Sequence, residues 1–277
     1  MSQPSKAIDK AGEHHWESTW QASTLPRLVV PNDTSLRNHV RRCLHTFLSG
    51  VLEGRRGLSV IEVGCANSVW LPYFAQQHGC LVTGLDYSDV GCTSAREILT
   101  LAKVEGEIFP GDLWDPPAKL LGSFDFVFTY GLVEHFDPTD RVLTALAKLL
   151  RPGGTMITLV PNLSGWAGTV QKALNRPIFD IHVPMTLADL ETAHKRAGLI
   201  TSQSSYLCTM NFGIINLNGT SDGVPVRFVK RFITEVLIGL SALVWWIEDH
   251  SSLRLRPNRI TSPYIACVAS KDNNLAG

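Results

Sequence analysis

The chain has 277 residues, 44% of them hydrophobic and 18% charged, a size and balance that support a packed core and exclude disorder for most of the length. Lys and Arg number 25 against 25 Asp and Glu, so no net basic field attracts nucleic acid or an anionic membrane, and no nucleic-acid partner is expected. The length exceeds a minimal domain and falls short of two; the expectation is an N-terminal arm and helix over 1–50, then one domain over 51–277.

Cys43, Cys65, Cys80, Cys92, Cys208 and Cys267 contain no Cys-x-x-Cys pair, which argues against a zinc knuckle or a disulfide framework and for a reducing cytoplasm. The start, Met1–Gly12, is polar and shows no secretion signal.

In chain order, an arm rich in aromatic residues and histidine (His14, His15, Trp16, Trp20) precedes a helix expected over Ser35–Val51. Leu58–Val63 is a short apolar run ending at Gly64. Helical character follows over Trp70–His78, and a second apolar run, Cys80–Leu85, ends at Asp86. A helix over Val90–Leu101, a short strand over Gly106–Phe109, a loop over Asp112–Pro117 and a strand over Phe124–Thr129 continue the alternation. Strand–helix alternation of this kind implies parallel pairing. Arg141–Leu150 places apolar residues at helical spacing, and Arg151-Pro152-Gly153-Gly154 stops it before a strand over Thr155–Val160.

Beyond Pro161 the rhythm breaks. Residues 162–184 read as an irregular or partly helical insertion, followed by an amphipathic helix over Thr186–Ala197 and two strands over Ile200–Cys208 and Tyr264–Ser270. Between those strands, 213–260 is a second insertion, larger than a hairpin loop. It contains the uncharged run Val236–Ile247. At about 12 residues the run is shorter than the roughly 20 that span a bilayer. It reads either as a buried or homodimer-interface helix, or as an interfacial helix making peripheral membrane contact, with Trp245 and Trp246 at headgroup level.

In an open parallel sheet, ligands bind beyond the carboxyl ends of the strands at the switch point. The first such end reads Glu62-Val63-Gly64-Cys65-Ala66-Asn67-Ser68. Gly64 permits the tight turn, and the small Ala66 and Ser68 allow a ligand to approach the main chain. Asp86, 24 positions after Glu62, stands where a carboxylate accepts hydrogen bonds from ribose hydroxyls.

These blocks resemble the class I S-adenosylmethionine-dependent methyltransferases, in the branch acting mostly on small molecules. The resemblance covers roughly 58–270 and rests on Val60–Cys65, Gly84–Ser88 and Gly111–Leu113, together with Phe124–Val127 running into Val133–Phe136, and Leu150–Gly154. It implies an α/β, Rossmann-like sheet of seven mostly parallel strands with helices on both faces, the helical insertions forming a lid. It also implies S-adenosyl-L-methionine as cofactor. Gly64 and Cys65 would face its methionine part, with Glu62 orienting the loop. Asp86 would hold the ribose, and Tyr87 would lie near the adenine. Asp112 and the Leu113 backbone would read the adenine edge, and Tyr130 and Gly131 would line the end of strand four. The usual second and third loop glycines are Ala66 and Ser68 here, which leaves the methionine contacts at Asn67 and Ser68 open.

Methyl transfer asks the protein mainly to align the acceptor and exclude water. His135 is the candidate general base for a hydroxyl acceptor; the alternative is a packing role, with Glu134 orienting the loop. His182 and Asn162 either bind substrate or fasten the first insertion, and Trp16 and Trp20 either close over the ligands or pack on the core. No histidine pair shows a metal spacing such as His-x-x-x-His, so no metal is expected. The expected activity is methyl transfer to a small-molecule hydroxyl. The alternatives are a nitrogen or sulfur acceptor, an amphiphilic metabolite among them, or a non-catalytic membrane- or partner-binding protein that retains the fold.

Overall fold

Apolar runs separated by helical stretches become the strands of one large sheet in the computed structural model, which describes residues 6–220, 222–253 and 255–273. Residues 1–5 of the polar start lie outside the described residues. The arm comprises β1 (Ile8–Asp9) and α1 (Glu13–Gln21), and α2 (His39–Val51) follows a 3-10 turn at Leu36–Asn38. Then come β2 (Ser59–Val63), α3 (Trp70–His78), β3 (Leu81–Asp86), α4 (Asp89–Ala102), β4 (Gly106–Pro110) and β5 (Phe124–Tyr130). A 3-10 turn at Val133–His135 leads into β6 (Phe136–Asp137), α5 (Thr139–Ala147) and β7 (Leu150–Pro161). The chain continues through α6 (Trp166–Leu174), α7 (Arg176–Asp180), α8 (Leu187–Arg196), β8 (Leu199–Leu207), α9 (Val224–His250) and β9 (Tyr264–Lys271).

Seven strands pair in the order β4-β3-β2-β5-β7-β9-β8. The first five run parallel, and β9 runs antiparallel to both β7 and β8. Successive side chains of a strand point to opposite faces, and the core divides accordingly. Ile61, Val63 and Val127 pack with α5 and α8 on one side. Val60, Phe126 and Phe128 pack with α2, α3 and α4 on the other. Helices on both faces explain why the strands read as continuous apolar runs. The expected helix over Arg141–Leu150 is shorter: α5 ends at Ala147, because Leu150 already pairs with Phe124 as the first residue of β7.

The largest difference from the sequence reading is α9. The uncharged run is the middle of a 27-residue helix, and its buried residues are Thr234, Ser241, Trp245 and Glu248, whereas Phe228, Phe232, Val236, Leu240, Leu243 and Trp246 are exposed. It is therefore not a core helix: it packs on a mostly polar seam and turns its apolar side outward. Among the described residues no helix is long and apolar enough to cross a membrane.

Candidate functional site

The chain reverses direction across the sheet between β2 and β5, and a cavity opens at the carboxyl ends flanking that point, where ligands bind in such sheets. Val63 and Gly64 line it from β2, Leu85, Asp86 and Tyr87 from β3, and Gly111 and Leu113 from the end of β4. Tyr130, Gly131 and Leu132 close the β5 side, with Trp16 and Trp20 of α1 above. Gly64 has φ +77°, and a Cβ there would meet Leu132 Cδ1 at 3.1 Å, so both backbone angle and space favour glycine.

Asp86 is the electrostatic centre of this cavity. Its Oδ2 accepts the Ala66 N–H at 3.0 Å and its Oδ1 the Ser88 N–H at 2.9 Å. Burial raises its pKa to about 6, against the lowering by those two bonds. Ala66 fits in place of a glycine because its methyl lies against Gly91 of α4, where a Cβ would come within 2.7 Å of it. Ser68 Oγ accepts the Trp70 N–H at 3.1 Å and also hydrogen-bonds Glu62. Asn67 donates to the Thr24 carbonyl at 3.1 Å, tying the loop to the segment after α1.

Glu62 and Cys65 sit behind the cavity. The Cys65 thiol is fully buried, and a Cβ at Gly84 would meet its Sγ at 2.6 Å; only its main chain can reach a ligand. Glu62 is 1% exposed with Oε2 unpartnered, and desolvation raises its pKa from 4.5 to about 8. The folded state thus keeps a proton that the unfolded chain loses above pH 4.5, which costs stability as pH rises through that interval. Glu62→Gln removes the cost. Relative to the wild type, the variant is expected to gain up to about 1.4 kcal/mol per pH unit between pH 4.5 and 8 and nothing further above. Denaturant melts across that range measure it, and a pH-independent difference means that Glu62 is ionised throughout.

Asp112 lies outside the cavity lining. Its Oδ2 pairs with Lys6 at 2.8 Å and its Oδ1 accepts the Trp114 N–H. Tyr87 donates to Asp9 Oδ2 at 3.2 Å. Asn162 is fully buried away from the cavity, where its amide donates to the Arg259 and Ser262 carbonyls.

The arm is the part least visible in the sequence. β1 pairs with β6, and the Lys10 N–H donates to the His135 carbonyl at 2.9 Å, while Lys10 Nζ donates to the His182 carbonyl at 2.8 Å. Trp16 stacks on Trp20 and meets His135 edge-on, with ring centroids 4.9 Å apart. His135 therefore borders the cavity through the Trp16 ring. Lys10 and Leu132 were not singled out from the sequence, and no spacing or motif marks either.

Distant segments converge beside this arm. His135 and His182 have ring centroids 4.3 Å apart, and His135 Nε2 lies 3.9 Å from Glu134 Oε1. Each imidazole donates through Nδ1 to a carbonyl, His135 to Ile181 at 3.0 Å and His182 to Ile178 at 2.6 Å. A carbonyl only accepts, so both rings carry their proton on Nδ1 and present Nε2 as a lone pair. Burial lowers the His135 pKa to about 3, helped by His182, and lowers that of His182 as well. Glu134 is buried with Oε2 unpartnered, and desolvation raises its pKa to about 8. One donor atom from each of the three lies within 4.8 Å of the others. Two imidazoles and a carboxylate also suit a divalent transition metal, a set that the absence of a local His spacing had concealed. The Lys10 ammonium at its edge adds positive charge there.

The cavity fits S-adenosylmethionine: a buried carboxylate at Asp86, glycine backbones at Gly64, Gly111 and Gly131, and aromatic walls at Tyr87 and Tyr130. A family model described as a methyltransferase domain matches residues 36–204, more than half of the chain. The ubiquinone biosynthesis O-methyltransferase of Bordetella avium is 32% identical over 109 residues, 39% of this chain and 43% of the relative. The matches thus cover less than half the length of the curated relatives. Phosphoethanolamine N-methyltransferase 2 of Haemonchus contortus, solved with S-adenosyl-L-methionine, superposes with a TM-score of 0.57 at 14% identity, over 95% of this chain and 58% of that one. A SAM-dependent methyltransferase from Archaeoglobus fulgidus gives a TM-score of 0.53 at 15% identity, over 86% and 95%. The chain belongs to the methyltransferase-domain family.

Proposed function

We propose that the acceptor is a hydroxyl oxygen of a small molecule, with His135 as the base that receives its proton. The observation that carries the reading is the fixed tautomer of His135, whose Nδ1–H is held by the Ile181 carbonyl and whose Nε2 lone pair stands beside Glu134. S-adenosylmethionine supplies an activated methyl group on a sulfonium. What the chain must add is position, dryness and a place for the proton. Asp86 and the Gly64 turn hold the cofactor, with Tyr87, Leu113 and Tyr130 along its length. Trp16 and Trp20 cover the cavity and exclude water. His135 Nε2 takes the hydroxyl proton as the O–H bond gives way to the O–methyl bond. The Glu134 carboxylate, 3.9 Å from that Nε2, stabilises the imidazolium formed by its charge.

His182 borders the same place and is the group we assign to orienting the acceptor. Asn162 we assign to fastening 258–262 under the end of β7. The curated relative's name, an O-methyltransferase of ubiquinone biosynthesis, supports an oxygen acceptor with amphiphilic character, for which peripheral contact through the 236–247 segment gives access. Six unpaired cysteines, five of them buried, support a cytoplasmic setting.

The test is incubation with methyl-labelled S-adenosylmethionine and matched hydroxyl, amine and thiol compounds, with mass detection of product. Label on the hydroxyl member of each set is expected, and label confined to amines or thiols overturns the reading.

A further inference from the structure

We propose that α9 is a membrane-docking helix that lies in the plane of an anionic phospholipid surface. An ordinary surface helix buries its apolar stripe and shows water its polar one. Here the order is reversed. The inward stripe is fastened by polar contacts: Ser241 Oγ accepts the Phe212 N–H at 3.0 Å, Trp245 Nε1 donates to the Met210 carbonyl at 2.7 Å, and Glu248 accepts from Thr209 at 2.9 Å. His39 stacks on Trp245, and Arg42 pairs with Asp249 at 2.8 Å. These contacts fix the rotation of the helix about its axis. Phe228, Phe232, Val236, Leu243 and Trp246 recur at spacings of three, four and seven residues on the other side, and Phe228 and Phe232 are 71% and 62% exposed. From Phe228 to Trp246 the stripe runs about 27 Å along the helix at 1.5 Å per residue, too extensive to be a stray patch.

Charge selects the occupant. Arg227 and Arg231 are exposed beside the apolar stripe, and Arg256 and Arg259 follow the end of the helix. The acids of the segment are mostly neutralised or turned inward: Asp222 pairs with Lys230 at 2.7 Å, Asp249 with Arg42, and Glu248 is buried, which leaves Glu235 on the outside. An apolar stripe with a basic rim complements acyl chains beneath anionic headgroups. A second copy of the chain would bring the same cations to the contact. The helix also does not cross the bilayer, consistent with lying on it.

The position adds a functional reason. Arg227, Arg231 and Ile238 of α9 line a groove with Leu217 and Asn218. Asn218 also lines a second groove, which continues to His15 and Thr19 of α1 and to Ile178 and Ile181. Those two residues provide the carbonyls that hold His182 and His135. A surface path therefore runs from the docking helix to the arm over the acceptor site. The docking itself does not rest on which atom of the acceptor is methylated.

The full chain is tested by co-sedimentation with phosphatidylcholine vesicles, with and without phosphatidylglycerol. Binding to the phosphatidylglycerol vesicles is expected, weakened by salt. Phe228→Ser with Phe232→Ser should cut it by roughly tenfold or more per phenylalanine, while Arg227→Gln with Arg231→Gln should remove the preference for anionic lipid. All four side chains are exposed, so the variants should keep wild-type circular dichroism and S-adenosylmethionine affinity. Failure of the wild type to bind either vesicle overturns the proposal. So does a concentration-dependent dimer in light scattering that the phenylalanine pair abolishes, because α9 would then be covered by a second copy.

Discussion

Asp86→Asn is expected to weaken S-adenosylmethionine binding by at least about a hundredfold, measured by calorimetry on the full chain. The carboxylate already accepts the Ala66 and Ser88 N–H groups, yet each oxygen keeps a further lone pair, and Asp86 lines the cavity. Two hydrogen bonds from ligand hydroxyls to a charged acceptor contribute roughly 1.5–3 kcal/mol each, and about 1.4 kcal/mol is a factor of ten. Asparagine preserves shape and one of the loop bonds, so the loss falls mainly on the ligand. Burial places the Asp86 pKa at about 6, which adds a pH signature. The proton competes with the ligand below that value, so affinity should fall with decreasing pH below about 6 and level off above it. The variant should lack that dependence. Binding within threefold of wild type, or an unchanged pH profile, would place the ribose contact elsewhere.

The place of Asp86, at a strand end lining the cavity, was legible because it is local to one strand end: an apolar run ending in an acid, a fixed interval after another apolar run ending in Glu62-Val63-Gly64. The same holds for the sheet, whose strands are near-continuous apolar segments because both faces are covered. What periodicity does not encode is which remote segments meet. Glu134 and His135 are adjacent in the chain, but His182 joins them from an insertion 47 positions on, carried there by α7 and held by the Ile178 carbonyl. Lys10 reaches the same place only because β1 pairs with β6. For α9 the sequence showed an apolar run but not its direction: a run that is apolar nearly all round its axis reads the same whether the protein or the surroundings cover it. The polar anchors Ser241 and Glu248 decide that, and their partners Phe212 and Thr209 lie outside the helix.

The proton-accepting cluster makes the second large prediction. His135→Ala should reduce turnover of a hydroxyl acceptor by roughly 10²–10⁴, the usual contribution of a positioned base, with little change in S-adenosylmethionine affinity. The pH profile should not show a histidine titration, because burial holds the His135 pKa at about 3 and its imidazole is neutral throughout the working range. Such a depressed group is a weak base on its own. It becomes competent when the neighbouring Glu134 is ionised and can stabilise the imidazolium. Glu134 titrates at about 8, so it is protonated at pH 6.5 and ionised at pH 9. Turnover should therefore rise through about pH 8 and level off above it. Glu134→Gln should abolish that rise and hold turnover at or below the wild-type rate at low pH, whatever its effect on folding stability at a single pH. A limb near pH 8 that persists in Glu134→Gln assigns the titration to the acceptor, and turnover in His135→Ala within threefold of wild type removes the imidazole from the proton path, leaving alignment and exclusion of water as the protein's part in the reaction.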